Sequence, residues 1–316
     1  MTGWLVVALA LGFLAHSLWR SAPWTLAAAR SAELALAIGA GTLAYGFACF
    51  LLAEAWRHLL GSGASVAPRR HYRALYGRTQ IAKYLPGNCF HFVGRQLLGR
   101  RLGHGHGALV LASLAETALL LAVAGALALP LLGPELAHAS GRSPLWPVAA
   151  MLATLLGLMV VIVRASGARQ AQATSRILVA LRSLAPRLPK AGVLHLAFFG
   201  VGGLILWTVA AAAQVPSEQA LDLLTAVSAM ALAWWAGFVV PGAAAGVGVR
   251  EAVLVLTLEQ HLGAEGAVLV ALALRAITTL GDLLFFGLCS LTPARASTAA
   301  LASLRMLARQ VFRLCR

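Results

Sequence analysis

Hydrophobic residues follow one another along this chain in long runs, which short polar segments separate. An α-helix that crosses the hydrocarbon core of a bilayer needs about 20 consecutive apolar residues. Six runs are long enough for full spans, and they cover approximately residues 2–18, 32–54, 107–132, 146–164, 191–213 and 266–292. The first run has no basic residues ahead of its apolar core, so we interpret it as a retained span rather than a signal peptide.

Two further apolar runs, at about residues 70–99 and 222–260, are interrupted by Pro-Gly pairs. Pro lacks an amide hydrogen and Gly lacks a side chain, so we expect no continuous helix through either pair. Each run is therefore predicted to form a re-entrant helical hairpin that enters and leaves on the same side. For the second run a full crossing by residues 222–240 stays open. The predicted break residues are Pro86, Gly87, Pro241, Gly242, Gly246 and Gly248.

Composition excludes a soluble domain and disfavours a β-barrel. The chain has 60% hydrophobic and 11% charged residues and a mean hydropathy of +0.83, whereas a soluble domain has about 25% charged residues. Its 31 glycines favour closely packed helices in lipid. We therefore predict an all-α polytopic membrane bundle that forms a single domain over residues 1–316, with 293–316 as a basic cytoplasmic tail.

The basic residues set the predicted orientation. With the N-terminus in the cytoplasm, 20 of the 25 Lys and Arg fall in segments predicted to be cytoplasmic, which obeys the positive-inside rule. Because the net charge of +15 lies in short segments between apolar runs, it does not indicate a nucleic-acid partner. We expect a protein of the bacterial cytoplasmic (inner) membrane with both termini in the cytoplasm.

The two interruptions belong to an internal repeat. "LPGNCFHFVGR" and "VPGAAAGVGVR" each place an arginine, Arg95 or Arg250, nine residues after the proline. Downstream, "LGHGHGALVLASLAE" matches "LGAEGAVLVALALR", so that Glu116 and Arg275 occupy equivalent positions with opposite charge. Each half, about 1–132 and about 146–292, contains three crossings and a hairpin, and an odd number of crossings inverts the second half. Paired interruptions of this kind mark a transporter's binding site near the midplane.

The predicted binding site combines helix ends with embedded cations. A half-helix that begins after Pro-Gly points free amides into the membrane and attracts anions, with Asn88 near the midplane as a ligand or as a helix N-cap. Arg95 and Arg250 carry guanidinium groups suited to phosphate and are placed at the two mouths of a polar cavity. For Arg95 the alternative role is a cytoplasmic anchor, and Lys83 is expected to complement helix carbonyls or to reach water.

Embedded charges complete the candidate site. They are Glu116, Glu251, Arg275 and Asp282. Each costs roughly 2.5 to 3.5 kcal/mol at a helix centre, so we expect these four residues to face a cavity or one another. Glu116 has two open roles, an ion pair with Arg250 or Arg275 and a direct part in substrate binding or proton coupling. The predicted substrate-binding residues are Lys83, Tyr84, Asn88, Arg95, Glu116, Arg250, Glu251, Arg275 and Asp282.

Other polar residues give no catalytic or metal site. His104 and His106 diverge on a helix, so they do not predict a metal site. His91 is interpreted as a hydrogen-bonded packing residue, and Trp234 as a packing or interfacial residue. Because no catalytic set or cofactor motif is found, the chain is not expected to be an enzyme.

The two motifs resemble the lysylphosphatidylglycerol synthase transmembrane-region family of flippase-like integral membrane proteins. The matching residues are "KYLPGNCFHFVGR" at 83–95, "LASLAE" ending at Glu116, and "WWAGFVVPGAAAGVGVREAVL" at 234–254 followed by Arg275. The resemblance implies a membrane region that moves a lipid product across the bilayer, without the cytosolic aminoacyl transferase domain. The Ala-rich "PGAAAGVG" departs from the glycine-rich pattern of that family and leaves the substrate open.

Our leading hypothesis is therefore a lipid flippase or lipid transporter whose partner is a membrane lipid with an anionic or polyprenyl or glycolipid headgroup. The alternative is a membrane scaffold without transport activity that serves a lipid-modifying enzyme or glycosyltransferase.

Overall fold

The computed structural model of the chain describes residues 31–61, 67–85, 90–140, 182–214, 220–240 and 244–291, the stretch 133–140 as backbone only. Every regular element in these ranges is helical. We number the α-helices in chain order: α1 Ala32–Leu60, α2 Arg69–Gln80, α3 Phe90–Arg101, α4 His106–Ser140, α5 Leu188–Ala212, α6 Leu223–Val239 and α7 Val249–Ser290. Three 3₁₀ turns accompany them, Ile81–Tyr84 after α2, Ala185–Arg187 before α5 and Ala244–Gly246 before α7.

Four helices are long and apolar enough to cross a membrane: α1, α4 as far as Leu132, α5 with the turn before it, and α7. They coincide with the predicted spans 32–54, 107–132, 191–213 and 266–292, which are confirmed as apolar helices. The predicted spans 2–18 and 146–164 lie outside the described residues. The chain is thus an integral membrane protein built as a helical bundle.

Local signals fix several helix ends. The Ser31 hydroxyl accepts a hydrogen bond from the Leu34 amide at 3.2 Å and starts α1, and the Asp222 carboxylate accepts one from the Thr225 amide at 2.7 Å and starts α6. Gly61 ends α1 with φ at 69°, a left-handed conformation that glycine adopts without steric cost. These caps hold the polar ends while the apolar middle of each helix packs in the bundle.

The chain breaks its helical path at both predicted interruptions. After the turn that follows α2, Leu85 is extended with ψ at 145°, and α3 begins at Phe90. After α6, Val240 is extended with ψ at 112°, and α7 begins only at Val249. The predicted break residues Pro86, Gly87, Pro241 and Gly242, and also Asn88, lie outside the described residues. The breaks Gly246 and Gly248 are described, with φ at 73° and 82°.

A second glycine turn follows each break. Gly103 has φ at 90° between α3 and α4, and Gly263 has φ at 66° inside α7. These are the glycines of the two matched Leu-Gly pairs in the sequence. Gly263 divides α7 into a short first arm and a long second arm, where we predicted two separate elements. Both halves therefore run in the same order: helix, break, short helix, glycine turn, long helix.

Helix packing crosses between the halves. The most extensive contact joins α1 to α5, and the long helix of each half packs against the first hairpin helix of the other half, α4 on α6 and α7 on α2. Helices α1 and α7 approach closely at Gly46 and Gly281, where a Cβ atom on Gly281 would lie 3.1 Å from the Gly46 amide nitrogen. Small residues permit such contact between membrane helices. This contact brings Asp282, the next residue of α7, against α1.

Candidate functional site

Four carboxylates of the described residues are buried. Glu54 pairs with arginines near the end of α1, and each of the other three has a cationic partner inside the bundle. Glu116 pairs with Arg95, Asp282 with Lys83 at 2.7 Å, and Glu251 with Arg275 at 3.4 Å. All three are at most 3% exposed. Of the four embedded charges singled out in the sequence, Glu251 and Arg275 pair with each other, whereas Glu116 and Asp282 take their partners from outside that set.

Protein groups bind both terminal nitrogens of Arg95 on α3, whereas its Nε has no hydrogen-bond partner among the described residues. Arg95 is 1% exposed, so the alternative role as a cytoplasmic anchor is wrong. One terminal nitrogen donates to Glu116 and the other to the side-chain oxygen of Gln80 at 2.9 Å. Its guanidinium carbon lies 3.8 Å from the ring centroid of Tyr76, whose hydroxyl donates to Glu116 at 2.6 Å. Arg95 is therefore part of a structural network in which Glu116 neutralises its charge.

Asp282 of α7 gathers donors from the first half of the chain. The Lys83 ammonium donates to it at 2.9 and 2.7 Å, and the Tyr84 hydroxyl at 2.7 Å. The thiol of Cys49 lies 3.9 Å from the same carboxylate. Lys83 thus neither complements helix carbonyls nor reaches out to water, as the sequence had suggested, because a carboxylate of the other half holds it.

Glu251 occupies the N-terminus of α7. Its carboxylate accepts a hydrogen bond from the Gly248 amide at 2.7 Å, and Arg275 pairs with it while also donating to the Ala245 carbonyl at 3.3 Å. The prediction that this helix end attracts an external anion is therefore wrong, since the protein's own carboxylate already fills that place. The Glu251 and Arg275 pair fixes the turn that leads into α7.

Arg250 differs from the other buried cations because no carboxylate of the described residues pairs with it. Its Nε has no hydrogen-bond partner among those residues. The guanidinium carbon lies 5.8 Å from the Trp234 ring centroid. A Cβ atom on Gly237 would lie 2.5 Å from the Arg250 Cγ, and one on Gly246 would lie 2.6 Å from its Nε. Because Gly237 and Gly246 have no side chains, they form a slot in which the Arg250 side chain lies.

A difference in charge between equivalent positions of the two halves explains why Arg250 has no carboxylate partner among the described residues. In the first half, Arg95 on the short helix pairs with Glu116 on the long helix. In the second half, the position equivalent to Glu116 is Arg275, which pairs instead with Glu251, the neighbour of Arg250. Helix α7 therefore carries a cation, Arg275, at the position where α4 carries the carboxylate that pairs with Arg95.

Arg250 lines a partly open cavity of about 50 Å³. The charged and nitrogen-bearing polar residues of its wall include Lys83, Arg95, Arg250, Glu116, His91 and Gln80. Asp282 holds the Lys83 ammonium from outside the wall, so three cations stand against two carboxylates and the net charge beside the cavity is positive. The volume has room for about four water molecules. Arg95 and Arg250 thus line one cavity rather than two separate mouths. A second cavity of about 20 Å³ is lined by Glu251 and Arg275 and shares Trp234 and Arg250 with the first.

Aromatic side chains form the remaining wall. Trp234 stacks on Phe238 with ring centroids 5.4 Å apart and meets the edge of Phe199 at the same distance. His91 lies 3.9 Å from the Phe92 ring, but its Nδ1 has no hydrogen-bond partner among the described residues. The interpretation of His91 as a hydrogen-bonded packing residue is therefore not met at that nitrogen.

Sequence reasoning missed the first-half residues that hold Arg95 and Glu116. Tyr76 and Gln80 lie four residues apart on α2 and so share one helix face. That spacing, inside a segment already singled out for its break, was the available signal. Among the described residues, no group of three or more His, Cys, Asp and Glu is placed to hold a metal ion.

Neither a protein-family model nor a curated protein matches this chain. The resemblance to the lysylphosphatidylglycerol synthase transmembrane region stays a prediction.

Proposed function

We propose that this chain is a lipid transporter of the flippase type, which moves a lipid with an anionic headgroup across the cytoplasmic membrane. The observation that carries the proposal is Arg250, a cation without a carboxylate partner among the described residues that faces a partly open cavity. An embedded arginine costs roughly 2.5 to 3.5 kcal/mol by insertion scales, and ionisable groups kept at that cost mark substrate pathways. A bound anion compensates the charge.

The phosphate group is the part of a lipid that fits the site. An arginine presents a planar fork of donors that matches phosphate oxygens. The cavity beside Arg250 is about 50 Å³, so the phosphate group is the part of a lipid that we place there. The proposed cargo therefore keeps its tails in the bilayer, and the two halves separate to let a larger headgroup pass.

The shared order of elements supports the architecture that such transport needs. We propose that the two halves form an inverted repeat, with six spans and two re-entrant hairpins, and with both termini in the cytoplasm. The reciprocal contacts of α4 with α6 and of α7 with α2 fit a two-fold relation between the halves. In transporters of this kind the substrate site lies at the repeat interface beside discontinuous helices. Membership of the family that the motifs resemble belongs to the same proposal.

Transport of a labelled lipid between leaflets tests the function. The purified chain is reconstituted in vesicles that contain fluorescent phosphatidylglycerol, phosphatidylethanolamine or a polyprenyl phosphate, and dithionite quenching reports movement. We expect wild-type protein to accelerate movement of at least one phosphate lipid, Arg250→Gln to reduce the rate, and Arg250→Lys to retain part of it. Arg70→Gln is the matched control, because Arg70 is an exposed arginine of α2 outside the cavity.

Rates no faster than those of empty vesicles for every lipid would refute the transport function. Wild-type rates in a correctly folded Arg250→Gln variant would refute the role of Arg250, and capture of a lipid-modifying enzyme by that same variant would favour the scaffold alternative.

A further inference from the structure

Lys83 stands between the cavity and a carboxylate that is not part of its wall. Its side chain lines the cavity together with Arg250. Its ammonium, however, is held by Asp282 at 2.7 and 2.9 Å, and Asp282 is absent from the cavity lining. By contrast, Arg95 and its partner Glu116 both line the cavity. The positive charge of Lys83 is thus available to the cavity only at the expense of Asp282.

We propose that Asp282 is an internal competitor for the transported anion: it holds Lys83 in the empty protein, and Lys83 turns to a phosphate oxyanion when one enters beside Arg250. This inference rests on the proposed function, since it presumes the anion site at Arg250. It adds Lys83 as a second binding cation and Asp282 as the group that sets the affinity.

The chemistry of the two cations suits different roles. Arg250 lies in its slot between Gly237 and Gly246 and has little freedom to turn. Lys83 carries a compact charge on a flexible four-carbon stem, so its ammonium exchanges one oxyanion for another without a fixed fork geometry. Its side chain is 13% exposed, and Asp282 is its only ion-pair partner among the described residues.

Asp282 keeps donors when Lys83 leaves it. The Tyr84 hydroxyl donates to it at 2.7 Å, and the Cys49 thiol lies 3.9 Å away. The guanidinium carbon of Arg275 lies 5.9 Å from the Tyr84 ring and adds a cation to the neighbourhood. A buried carboxylate with a remaining hydroxyl donor costs less than a bare one, which makes the exchange accessible.

The exchange also links binding to movement of the halves. Lys83 and Tyr84 end the first hairpin arm immediately before the extended Leu85, and Asp282 belongs to the long helix of the other half. When the anion takes Lys83, one of the two strong links from this arm to α7 is lost. A ligand shifts a conformational equilibrium only through such a difference in contacts between states.

The test is whether substitution of the Asp282 carboxylate raises or lowers the affinity for an anion. Full-length protein in detergent is titrated by calorimetry with inorganic phosphate and with dihexanoyl phosphatidylglycerol, and dihexanoyl phosphatidylcholine is the zwitterionic comparison. We expect Asp282→Asn to bind the anionic probes at least about fivefold more tightly than wild type, as typical coupling energies give. Lys83→Gln should weaken binding, and Asp282→Asn should give no gain in the Lys83→Gln background.

Two further variants keep the test decisive. Asp222→Asn is the matched control, because Asp222 caps α6 at an exposed position and Asn is an equally good cap. Tyr84→Phe removes the hydroxyl that shares Asp282, so the carboxylate depends more on Lys83 and anion affinity should fall. This variant tests the inference even if Asp282→Asn does not fold.

The outcomes separate the inference from the proposed function. Unchanged or weaker binding in folded Asp282→Asn, with binding lost in Arg250→Gln, overturns the competitor role and keeps the anion site. Absence of binding to every probe in wild type overturns both. Tighter binding of inorganic phosphate alone in Asp282→Asn supports the competitor role and overturns a lipid as the cargo.

Discussion

Arg95 and Arg250 occupy matching positions in the two sequence motifs, yet substitution by glutamine should change the free energy of unfolding in opposite directions. Arg95→Gln leaves Glu116, which is 2% exposed, with only the Tyr76 hydroxyl as donor. Removing one partner of a buried ion pair costs about 3 to 5 kcal/mol. The Gln80 side chain also loses its donor from Arg95. We therefore expect Arg95→Gln to lower the free energy of unfolding by about 3 to 5 kcal/mol.

Arg250→Gln removes a buried cation that leaves no carboxylate behind. The relief is at most about 2.5 to 3.5 kcal/mol, the insertion cost of an embedded arginine. Against it stand the lost contact with Trp234, about 1 kcal/mol, and the shorter apolar stem, about 0.8 kcal/mol for one methylene. The balance is a gain in stability of about 1 kcal/mol. The difference between the two variants then amounts to about 4 to 6 kcal/mol.

Equilibrium unfolding in mixed micelles, followed by far-UV circular dichroism as the denaturing detergent fraction rises, measures both variants against wild type. The double variant Arg95→Gln/Glu116→Gln should recover most of the loss, because neither side chain is then charged. A loss of several kcal/mol in Arg250→Gln would show that Arg250 has a structural partner and would refute the interpretation of a cation kept for a ligand. A neutral Arg95→Gln would refute the structural role of Arg95.

Two other predictions concern packing and pH. Gly281→Ala places a Cβ atom 2.7 Å from Tyr45 and 3.1 Å from backbone atoms of α1, so the unfolding free energy should fall by about 1 to 3 kcal/mol. Gly287→Ala on the same helix meets nothing within 4 Å and should be neutral or stabilising, and equal effects of both changes on thermal unfolding would contradict the close α1–α7 contact. His104, in the turn before α4, shares a 2.8 Å hydrogen bond with the Tyr72 hydroxyl, and burial lowers the pKa of its imidazole. The fold thus favours neutral His104, and its contribution is lost as pH falls below about 6.5 through the folded pKa. Thermal unfolding temperatures between pH 7.5 and 5 should fall more for wild type than for His104→Gln, and parallel curves would exclude the effect.

Hydropathy predicted the described spans because a lipid environment constrains each long helix by itself. Each of α1, α4, α5 and α7 satisfies its own backbone hydrogen bonds, so length and apolar composition suffice to find it. The glycine turns at Gly103 and Gly263 were visible as matched Leu-Gly pairs for a similar reason, since a positive φ is a local demand. Features that depend only on neighbouring residues can therefore be predicted from the sequence.

The partners of the embedded charges are a different matter. Helical spacing shows which face a residue occupies, but it does not show which helix lies opposite, and Lys83 meets Asp282 across 199 residues. The expected partners of Glu116 were Arg250 or Arg275, whereas its partner is Arg95 of the same half. The cap by Glu251 has a sequence signal, a glutamate at the third helical position. It was missed because the start of α7 was placed at the Pro-Gly pair rather than at Gly248.

A repeat with the same ion pair in both halves would hold no unpaired charge for a ligand. In the first half, Arg95 and Glu116 neutralise each other inside the bundle. In the second half, arginine replaces the glutamate of the long helix, and Glu251 takes up that arginine at the helix end. Arg250 then keeps its position beside the cavity but loses its carboxylate. The asymmetry between the halves, rather than their symmetry, therefore leaves Arg250 and not Arg95 without a carboxylate partner among the described residues.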